Sequence, residues 1–388
     1  MSTRRLFEEQ VTLRQFETQV EEVREKKGRW EARLSATAFF PEGGGQPGDK
    51  GTLVLEDGRR VAVLDTKETD GMIWHLLDQE ICPGERVTGI LDWDFRFRNT
   101  QNHSGEHIVS GLIHQKYGYH NVGFHMGSDA VTMDFDGVVK EEDLKEIEAA
   151  ANRAIEEDVP FEILYPTKEE LSSMEYRSKK EIDGQVRIVR IGSYDTCACC
   201  GTHVESAGQI RLIKLLGVAS YKGGVRISML AGKDALDDYC RKHDLVMKAV
   251  HLLSAKPEKV EESLEKLIRD KEELKSALIG LQRRIGEEKA AQVPEGSEKV
   301  CFVEPAFSMD ELREMVNKAA LRAKLVLGIL PLEEQRCQYV LISNEADVRP
   351  LGKELNQCFE GKGGGQPTMV QGTLYGDAEE IRKFFMEV

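Results

Sequence analysis

The sequence predicts an α+β fold built in four parts. An N-terminal antiparallel β-barrel is followed by an α+β metal-binding domain, a long helical arm with coiled-coil spacing and a small C-terminal α/β domain. Three observations predict this order: apolar and polar residues alternate near the N-terminus, His and Cys cluster in two short motifs of the middle region, and leucines recur at heptad spacing further on. We expect the four parts to span residues 1–91, 92–235, 236–292 and 299–388.

The first region is predicted to form strands. Apolar and polar residues alternate in four segments: QFETQVEEVRE, GRWEARLSATAFF, GTLVLEDGRRVAVLDT and MIWHLLD. The short sequences KKG, GDKG, EDG and TDG between them supply turns. This pattern is typical of a small antiparallel barrel or sandwich.

The second region mixes helix and strand patterns. Helical spacing is found in RFRNTQNHSGEHIVSGLIHQKYG and KEEDLKEIEAAANRAIEED, while AVTMDFD and QVRIVRIGS are predicted strands.

At the other end of the chain, VPEGSE (293–298) is predicted as a linker. It precedes two predicted strands, KVCFVEPAF and CQYVLISNE, and two predicted helices, SMDELREMVNKAALRA and DAEEIRKFFMEV.

The helical arm carries a heptad pattern in its second half. The seam positions are Leu264, Lys271, Leu278 and Ile285 in one row and Leu267, Leu274 and Leu281 in the other. All but the lysine are apolar, which is coiled-coil spacing over about three heptads. Three interpretations stay open: an arm packed on its own domain, a dimerising coil, and a helical hairpin.

The composition is that of a soluble globular protein, with 388 residues, 40% apolar and 31% charged. No stretch approaches the roughly 18–20 uninterrupted apolar residues of a membrane span, and the start MSTRRLFEEQ does not have a signal-peptide pattern. Eight irregularly spaced cysteines favour a reducing, cytoplasmic location. The net charge of −15 argues against indiscriminate nucleic-acid binding, but a structured RNA can still bind through a local basic patch.

The motif HSGEH places His103 and His107 four residues apart. On a helix this spacing puts both imidazoles on one face, so that both rings can bind one metal ion. Zinc proteases use the same spacing but carry a Glu directly after the first His. Here Ser104 takes that place and Glu106 precedes the second His, which weakens the protease interpretation. A chance pair of histidines is the other alternative.

The motif DTCACCGTHV holds Cys199 and His203 four residues apart, with Gly201 allowing a tight turn between them. Together with the two histidines of HSGEH they make a His₃Cys set, which suits tetrahedral zinc. Two alternatives stay open. Cys197 and Cys200 could form a redox pair, although adjacent cysteines make a clean pair unattractive, or the cysteines could be buried beside a chance histidine.

Together, these motifs resemble the editing domain of alanyl-tRNA synthetases and, more closely, the free-standing alanyl-tRNA editing proteins of the AlaX type. The resemblance rests on HxxxH, the later CCGTH and the upstream ATAFFPEGGGQPGDKGTL, and it covers essentially the whole chain. It implies that the arm and the C-terminal unit correspond to the synthetase's coiled region and DHHA-type domain. Nothing resembles the aminoacylation domain, so the resemblance implies a hydrolase that acts in trans.

The resemblance also implies roles for individual residues. It implies one Zn²⁺ per chain, held by His103, His107, Cys199 and His203. It implies an amino-acid pocket lined by Thr37, Gly43, Gly44, Gly45 and Gln46. Consecutive glycines let a backbone run close to a ligand with its N–H groups free, although a plain hairpin turn is the alternative.

Two departures from the synthetase pattern concern the metal site. The tripeptide between the histidines is Ser104-Gly105-Glu106, where synthetases usually carry Thr-Ala-Thr, and the role of Glu106 is open. Cys200 stands where glycine is common, and we expect its thiol to fill space rather than compete for the metal.

Basic residues near the pocket are predicted to contact tRNA(Ala): Arg96, Arg98, Lys222 and Arg226. Taken alone, a basic residue of this kind is more often a solvated surface charge. The C-terminal GKGGGQPTMVQG, with Lys362, resembles the glycine-rich loop of DHHA-type domains, which implies tRNA binding and a homodimer through this domain or the arm. The two GGGQP sequences share no flanking similarity, so we interpret them as separate ligand-approach sites rather than a repeat.

The implied reaction is hydrolysis of the ester in tRNA(Ala) mischarged with serine, with glycine as a further substrate, while alanyl-tRNA(Ala) is spared. Alanine is smaller than serine, so size cannot exclude it, but a pocket that must hydrogen-bond a hydroxyl can. Thr37 and Gln46 are the candidates for that contact. Zinc could activate water, polarise the carbonyl or only position the substrate, and no separate general base is assigned.

Two rival functions are weighed against this one. The first is a zinc hydrolase for a small ester, amide or D-amino-acid conjugate. The second is a non-catalytic RNA-binding or dimerising protein with structural zinc.

Overall fold

The structure is a computed structural model that describes residues 3–26, 28–127, 129–178, 185–333 and 335–388. The chain forms two compact units, Met1–Leu245 and Val246–Val388. The predicted barrel and the predicted metal-binding domain both lie in the first unit. Among the described residues, no helix combines the length and the apolar character needed to cross a membrane.

Six strands of the first unit close into an antiparallel barrel, in the order β2-β3-β7-β6-β5-β8. The elements of this part are β1 (Arg4–Arg5), α1 (Leu6–Glu9), β2 (Gln15–Lys26), β3 (Arg29–Leu34), β4 (Ala36–Thr37), β5 (Gly51–Leu55), β6 (Arg60–Thr69), β7 (Met72–Leu77) and β8 (Arg86–Leu91). Alternate residues such as Leu34, Leu53 and Val61 point inward and are fully buried. The predicted antiparallel barrel is confirmed.

The rest of the first unit is mixed α and β, as predicted. Its elements are α2 (Trp93–Tyr117), β9 (Asn121–Met126), β10 (Val131–Phe135), α3 (Glu141–Glu156), β11 (Phe161–Leu164), α4 (Lys168–Ser173), β12 (Ile188–Ile191), β13 (Asp195–Ala198), β14 (Ile213–Tyr221) and β15 (Gly224–Ala231). Four strands form the sheet β14-β15-β10-β9, and three form the sheet β11-β12-β13. Helix α2 contacts strands of both sheets.

Helix α2 begins and ends with clear capping groups. The Asp92 side chain accepts the Phe95 amide, and Gly118 ends the helix in a left-handed conformation with φ of 72°. Every residue from Asn99 to Gly111 is buried, although many of them are polar. These polar side chains bind neighbouring backbone: Asn102 Oδ1 accepts the Ala231 amide at 3.0 Å.

The predicted single arm is two helices, α5 (Lys233–Leu253) and α6 (Val260–Ala291), with a 3₁₀ turn at Pro257–Lys259 between them. Six apolar seam residues of α6 are between 44% and 71% exposed: Leu264, Leu267, Leu274, Leu278, Leu281 and Ile285. A different face of α6, with Gln282, Gly286 and Ala290, is buried in the second unit. Helix α6 therefore packs on its own unit, as the first of the three interpretations expects, but through this face rather than through the seam.

The C-terminal part is a five-stranded sheet in the order β16-β17-β18-β20-β19, with helices on both faces. Its elements are β16 (Ser297–Val303), α7 (Met309–Ala319), β17 (Ala323–Pro331), β18 (Arg336–Ile342), α8 (Arg349–Cys358), β19 (Lys362–Gln366), β20 (Met369–Tyr375) and α9 (Ala378–Glu387). Both predicted strands and both predicted helices are found here. The second GGGQP lies largely in the exposed edge strand β19 rather than in a loop, which corrects that part of the prediction.

Candidate metal centre

Four side chains from two parts of the first unit converge on one point. They are the predicted ligands His103, His107, Cys199 and His203, whose ligating atoms all lie within 4.8 Å of one another. The three imidazoles are nearly fully buried. This group of nitrogen and sulfur donors could hold a metal ion, and the helical spacing predicted for HSGEH is the arrangement that brings the first two together.

The loop after β13 is held in place against α2. The hydroxyl of Ser104, one residue after the first ligand, accepts the Val204 amide, one residue after the last ligand, at 3.0 Å. Gly201 sits directly over a ligand ring, where a Cβ would come within 2.1 Å of His103 Cε1. Only glycine fits there, so the turn predicted from the sequence is also a steric requirement of the site.

His103 is oriented by Gln46, which the sequence had assigned to the amino-acid pocket. The Gln46 amide oxygen accepts from His103 Nδ1 at 2.9 Å and from the Thr202 amide at 3.1 Å. Its amide nitrogen donates to the Thr202 hydroxyl at 2.8 Å. Because Nδ1 must carry the proton, His103 Nε2 presents its lone pair to the cluster, 3.4 Å from the Cys199 sulfur. Gln46 is thus a partner of a candidate ligand histidine, and its predicted contact with the amino acid stays a prediction.

His107 is oriented by Asp195 in the same way. Its Nδ1 lies 3.0 Å from Asp195 Oδ2, which leaves Nε2 to face the cluster. Asp195 also accepts two bonds from the Arg177 guanidinium, at 2.8 and 2.7 Å. A buried carboxylate that is paired with an arginine and binds a ligand histidine is a typical outer support for a metal-binding imidazole.

The protonation states of Cys199 and His203 are those that a metal-binding site requires. Burial opposes charge on the Cys199 thiol, but the nearby His103 and His107 outweigh it and hold its pKa well below the ordinary value. Burial lowers the pKa of His203 to about 3, so this imidazole is neutral. Both its ring nitrogens are buried without a hydrogen-bond partner among the described residues. A thiolate and an unpartnered neutral imidazole are the forms that a metal ion binds.

A cavity of about 490 Å³ opens beside the cluster. Its wall includes three of the four ligands together with Gly44, Gly45, Glu106 and Phe124. Gly43 and Gln46 exchange both backbone hydrogen bonds, at 3.1 and 3.0 Å, so the first GGGQP forms a two-residue turn. Gly44 and Gly45 have φ of 59° and 86°, and a Cβ on Gly45 would lie 2.5 Å from the Phe124 ring.

Thr37 is fully buried next to His75 of the barrel strand β7, and its hydroxyl already has two partners. His75 Nδ1 donates to the Ala32 carbonyl, so His75 Nε2 accepts from Thr37 Oγ1 at 2.8 Å. The same oxygen accepts the Phe39 amide at 3.1 Å. Thr37 does not line the cavity beside the cluster. The predicted contact of Thr37 with a substrate hydroxyl stays a prediction.

The predicted RNA contacts differ in exposure. Arg96 is 1% exposed and forms a buried ion pair with Asp49, so the structure corrects its assignment as an RNA contact. Arg98 binds Asp234 at 2.7 Å, and Arg226 binds Asp134 at 2.6 Å and stacks on Tyr221. Both keep part of their side chains in solvent.

Two predicted lysines are fully at the surface. Lys222 lies in the turn between β14 and β15, and Lys362 begins the edge strand β19 of the second unit. Their RNA contacts stay predictions.

Sequence reasoning missed the residues that support the ligands. Asp195 stood inside the quoted motif DTCACCGTHV, but nothing in the spacing linked it to His107. Thr202 and Arg177 were also missed. All eight cysteines are free thiols, and Cys200 is exposed and lies outside the ligand group.

Two family models match parts of this chain. The model described as the second additional domain of threonyl and alanyl tRNA synthetases matches residues 186–228, which contain the Cys and His ligands of the loop. The model described as class II (A) tRNA synthetases matches residues 4–95, which contain the barrel and the glycine turn. These two regions of the chain are thus similar to parts of tRNA synthetases.

Comparison with individual proteins shows which tRNA-related proteins this chain is similar to. The alanyl-tRNA editing protein AlaX-L of Pyrococcus horikoshii is 29% identical over 97% of this chain and 96% of its own length. The alanine–tRNA ligase of Pyrococcus abyssi is 29% identical over 96% of this chain but only 42% of the ligase. The ligase of Methanothrix thermoacetophila is 35% identical over 57% of this chain and 25% of the ligase. The resemblance to the free-standing alanyl-tRNA editing proteins is therefore confirmed.

A solved structure also matches. The C-Ala domain of Aquifex aeolicus alanyl-tRNA synthetase is 19% identical, with a TM-score of 0.21, over 25% of this chain and 93% of that domain.

Proposed function

We propose that this chain is a zinc-dependent aminoacyl-tRNA deacylase that removes serine from mischarged tRNA(Ala) in trans and spares alanine. The observation that carries the proposal is the His₃Cys cluster beside a cavity walled by the glycine turn. It occurs in a chain similar over nearly its whole length to an alanyl-tRNA editing protein. Glycine is the second expected substrate.

The metal would be held by the four converging ligands, with Gln46 and Asp195 fixing the two histidines of α2. When bound, zinc supplies a Lewis acid that can polarise an ester carbonyl or lower the pKa of water. The chain itself would contribute a pre-oriented cavity wall beside the ester. Because aminoacyl esters are already labile, holding the ester and water in one place is a large part of the catalysis.

The glycine turn supplies donors to that wall. Among the hydrogen bonds of the described residues, neither the Gly44 nor the Gly45 amide has a partner, and both residues line the cavity. Free backbone N–H groups at a reaction site stabilise the oxygen on which negative charge develops. We assign this role, or the binding of the serine hydroxyl, to the two amides.

The same turn borders a second cleft of about 870 Å³, which would receive the 3′ end of the tRNA. Arg29, Lys50 and Phe95 line it, and Lys50 Nζ lies 4.9 Å from the centre of the Phe95 ring. The acidic groups of this cleft, Glu42 and Asp65, are both paired with Lys67. Arg29 and Lys50 have no carboxylate partner among the described residues, and cations of this kind beside an aromatic ring suit unpaired nucleotides, through phosphate contacts and base stacking.

A homodimer through the exposed seam of α6 belongs to the same proposal. The seam offers apolar residues at a and d positions over about three heptads, which suits a second copy of the helix. The lysine at position 271 lies in the seam and favours a weak or register-specific pairing. Sedimentation velocity of the full chain would measure it.

The deciding experiment is deacylation of seryl-tRNA(Ala) and alanyl-tRNA(Ala) by the wild type and by Cys199→Ala, with bound zinc measured in both. We expect fast loss of serine, slow loss of alanine and no activity in the variant. If serine stays attached while zinc is bound, the deacylase proposal fails. Turnover of small esters or tRNA binding without turnover would then identify one of the two rival functions.

A further inference from the structure

A groove on the outside of the barrel adjoins the cleft beside the glycine turn. Its volume is about 420 Å³, and Arg29, Leu76 and Asp65 line both the groove and the cleft. The cleft in turn shares Gly44 and Gly45 with the cavity beside the metal cluster. The three cavities therefore follow one another from the cluster to the outer surface of the barrel.

The floor of this groove is the outer face of adjacent barrel strands. Glu31 of β3 pairs with Leu76 of β7, which pairs with Asp65 of β6, so the three side chains form a row across the sheet. Ala32 and Leu77 alternate with them and are buried inside the barrel. Neighbouring strands lie about 4.8 Å apart, so the row is about 10 Å long. The groove is thus built on regular β-structure rather than on loops.

The two carboxylates of the groove already have cationic partners. Glu31 accepts from Arg24 Nε at 2.7 Å, and Asp65 lies 3.3 Å from Lys67 Nζ. The Arg24 guanidinium also lies over the Trp74 ring, 3.4 Å from its centre, which holds it against the sheet. The negative charge of the groove is therefore neutralised by residues of the same barrel face.

Two further cations of the groove are left over. Lys26 and Arg29 are exposed, and neither has a carboxylate partner among the described residues. They stand at facing positions of β2 and β3, at the end of the hairpin that joins these strands. The groove therefore presents uncompensated positive charge, although the net charge of the chain is −15. A local basic site on an acidic chain attracts an anionic partner at that site alone.

We propose that this groove binds the phosphate backbone of the tRNA, next to the nucleotides that occupy the cleft. The inference rests on the proposed deacylase function and adds a second contact surface for its RNA partner. With the ester in the metal-side cavity and the 3′ end in the cleft, the following nucleotides would reach the groove. Lysine and arginine side chains contact phosphates without reading the bases, so the groove positions the RNA and does not select its sequence.

Charge reversal at Lys26 tests the groove separately, because Lys26 lines the groove and not the cleft. Affinity for uncharged tRNA(Ala) is measured at several salt concentrations. We expect Lys26→Glu to weaken binding about 3- to 10-fold at low salt. The slope of log K against log salt should become shallower by about 0.7–0.9, the value for one phosphate contact.

Deacylation kinetics give a second measurement on the same variant. For seryl-tRNA(Ala), Lys26→Glu should raise KM by about the factor lost in affinity. The value of kcat should stay within about twofold of the wild type, because a phosphate contact away from the ester contributes equally to the ground state and the transition state.

Two variants serve as matched controls. Lys26→Arg keeps the charge and should keep both the affinity and the salt slope. Arg86→Glu makes the same change of net charge at an exposed position of β8, which lies across the barrel from β7. It should leave tRNA affinity within about twofold. The unfolding midpoint is measured for every variant, so that a folding defect is recognised.

Three results would overturn the inference. Equal weakening by Lys26→Glu and Arg86→Glu would show that only the net charge of the chain matters. Unchanged affinity and salt slope in Lys26→Glu would show that the groove does not contact RNA. A lower kcat with unchanged affinity would place Lys26 in the reaction rather than in RNA binding. A wild type that binds tRNA(Ala) but does not release serine would refute the deacylase proposal, which is a separate result.

Discussion

Replacing Gln46 with methionine tests whether this residue supports the metal or reads the substrate. The change keeps the size of the side chain but removes three hydrogen bonds, to His103 Nδ1 at 2.9 Å, to the Thr202 amide at 3.1 Å and to the Thr202 hydroxyl at 2.8 Å. Loss of an outer partner of a ligand histidine typically weakens metal binding 10- to 100-fold, or about 1.4–2.7 kcal/mol. The buried Thr202 amide left without its partner should cost about 1–3 kcal/mol of folding free energy.

Zinc affinity is measured by competition with a chromophoric chelator, and stability by urea unfolding of the zinc-loaded and zinc-free chain. Gln46→Glu is the matched control, because its carboxylate can still accept from His103 and from the Thr202 amide. We expect this control to bind zinc nearly as tightly as the wild type. Unchanged zinc affinity and stability in Gln46→Met, together with slower serine removal, would refute the reasoning and restore the role predicted from the sequence.

Three further changes have expected outcomes. Arg96→Met should lower the free energy of unfolding by about 3–5 kcal/mol, because it leaves the buried Asp49 carboxylate without its charged partner. An unchanged urea midpoint together with weaker tRNA binding would instead favour an RNA contact. Burial lowers the pKa of His75 to about 4. Below pH 6.5 the folded chain therefore binds fewer protons than the unfolded chain. For this reason the free energy of unfolding should fall by about 1.4 kcal/mol per pH unit from pH 6.5 towards pH 4. Urea unfolding at pH 7, 6 and 5 should show a smaller loss for His75→Gln, and equal losses would contradict this assignment. Cys200→Ser should keep one zinc per chain by elemental analysis while Cys199→Ser loses affinity; the reverse result would exchange their roles.

The sequence predicted the four residues of the His₃Cys cluster because the chemistry of metal binding restricts their types and spacing. Two histidines four residues apart on a helix lie on one face and can share a metal ion, and the Cys and His of the loop fit the same coordination. The barrel was predictable for a similar reason, since alternation of apolar and polar residues has few structural solutions.

The partners of buried polar groups could not be predicted from the sequence. Arg96 and Gln46 were assigned to ligands because they lie next to site motifs, yet each is satisfied by a residue distant in the chain. Asp195 was missed for the same reason, because its contact with His107 joins two elements. Sequence distance carries no information on such pairs, whereas three-dimensional packing decides them.

The wall between the two cavities has a consequence for how this protein can change over evolutionary time. Gly44 and Gly45 offer main-chain amides, which nineteen of the twenty amino acids would also carry. A point substitution therefore cannot change the hydrogen-bonding strength of these amides, whereas it can replace a serine or arginine side chain that donates. A substitution can only strain the left-handed backbone of the turn at either position and, at Gly45, bring a Cβ against Phe124. Any drift in substrate preference must then come from the side chains around the turn, while the donors themselves stay constant.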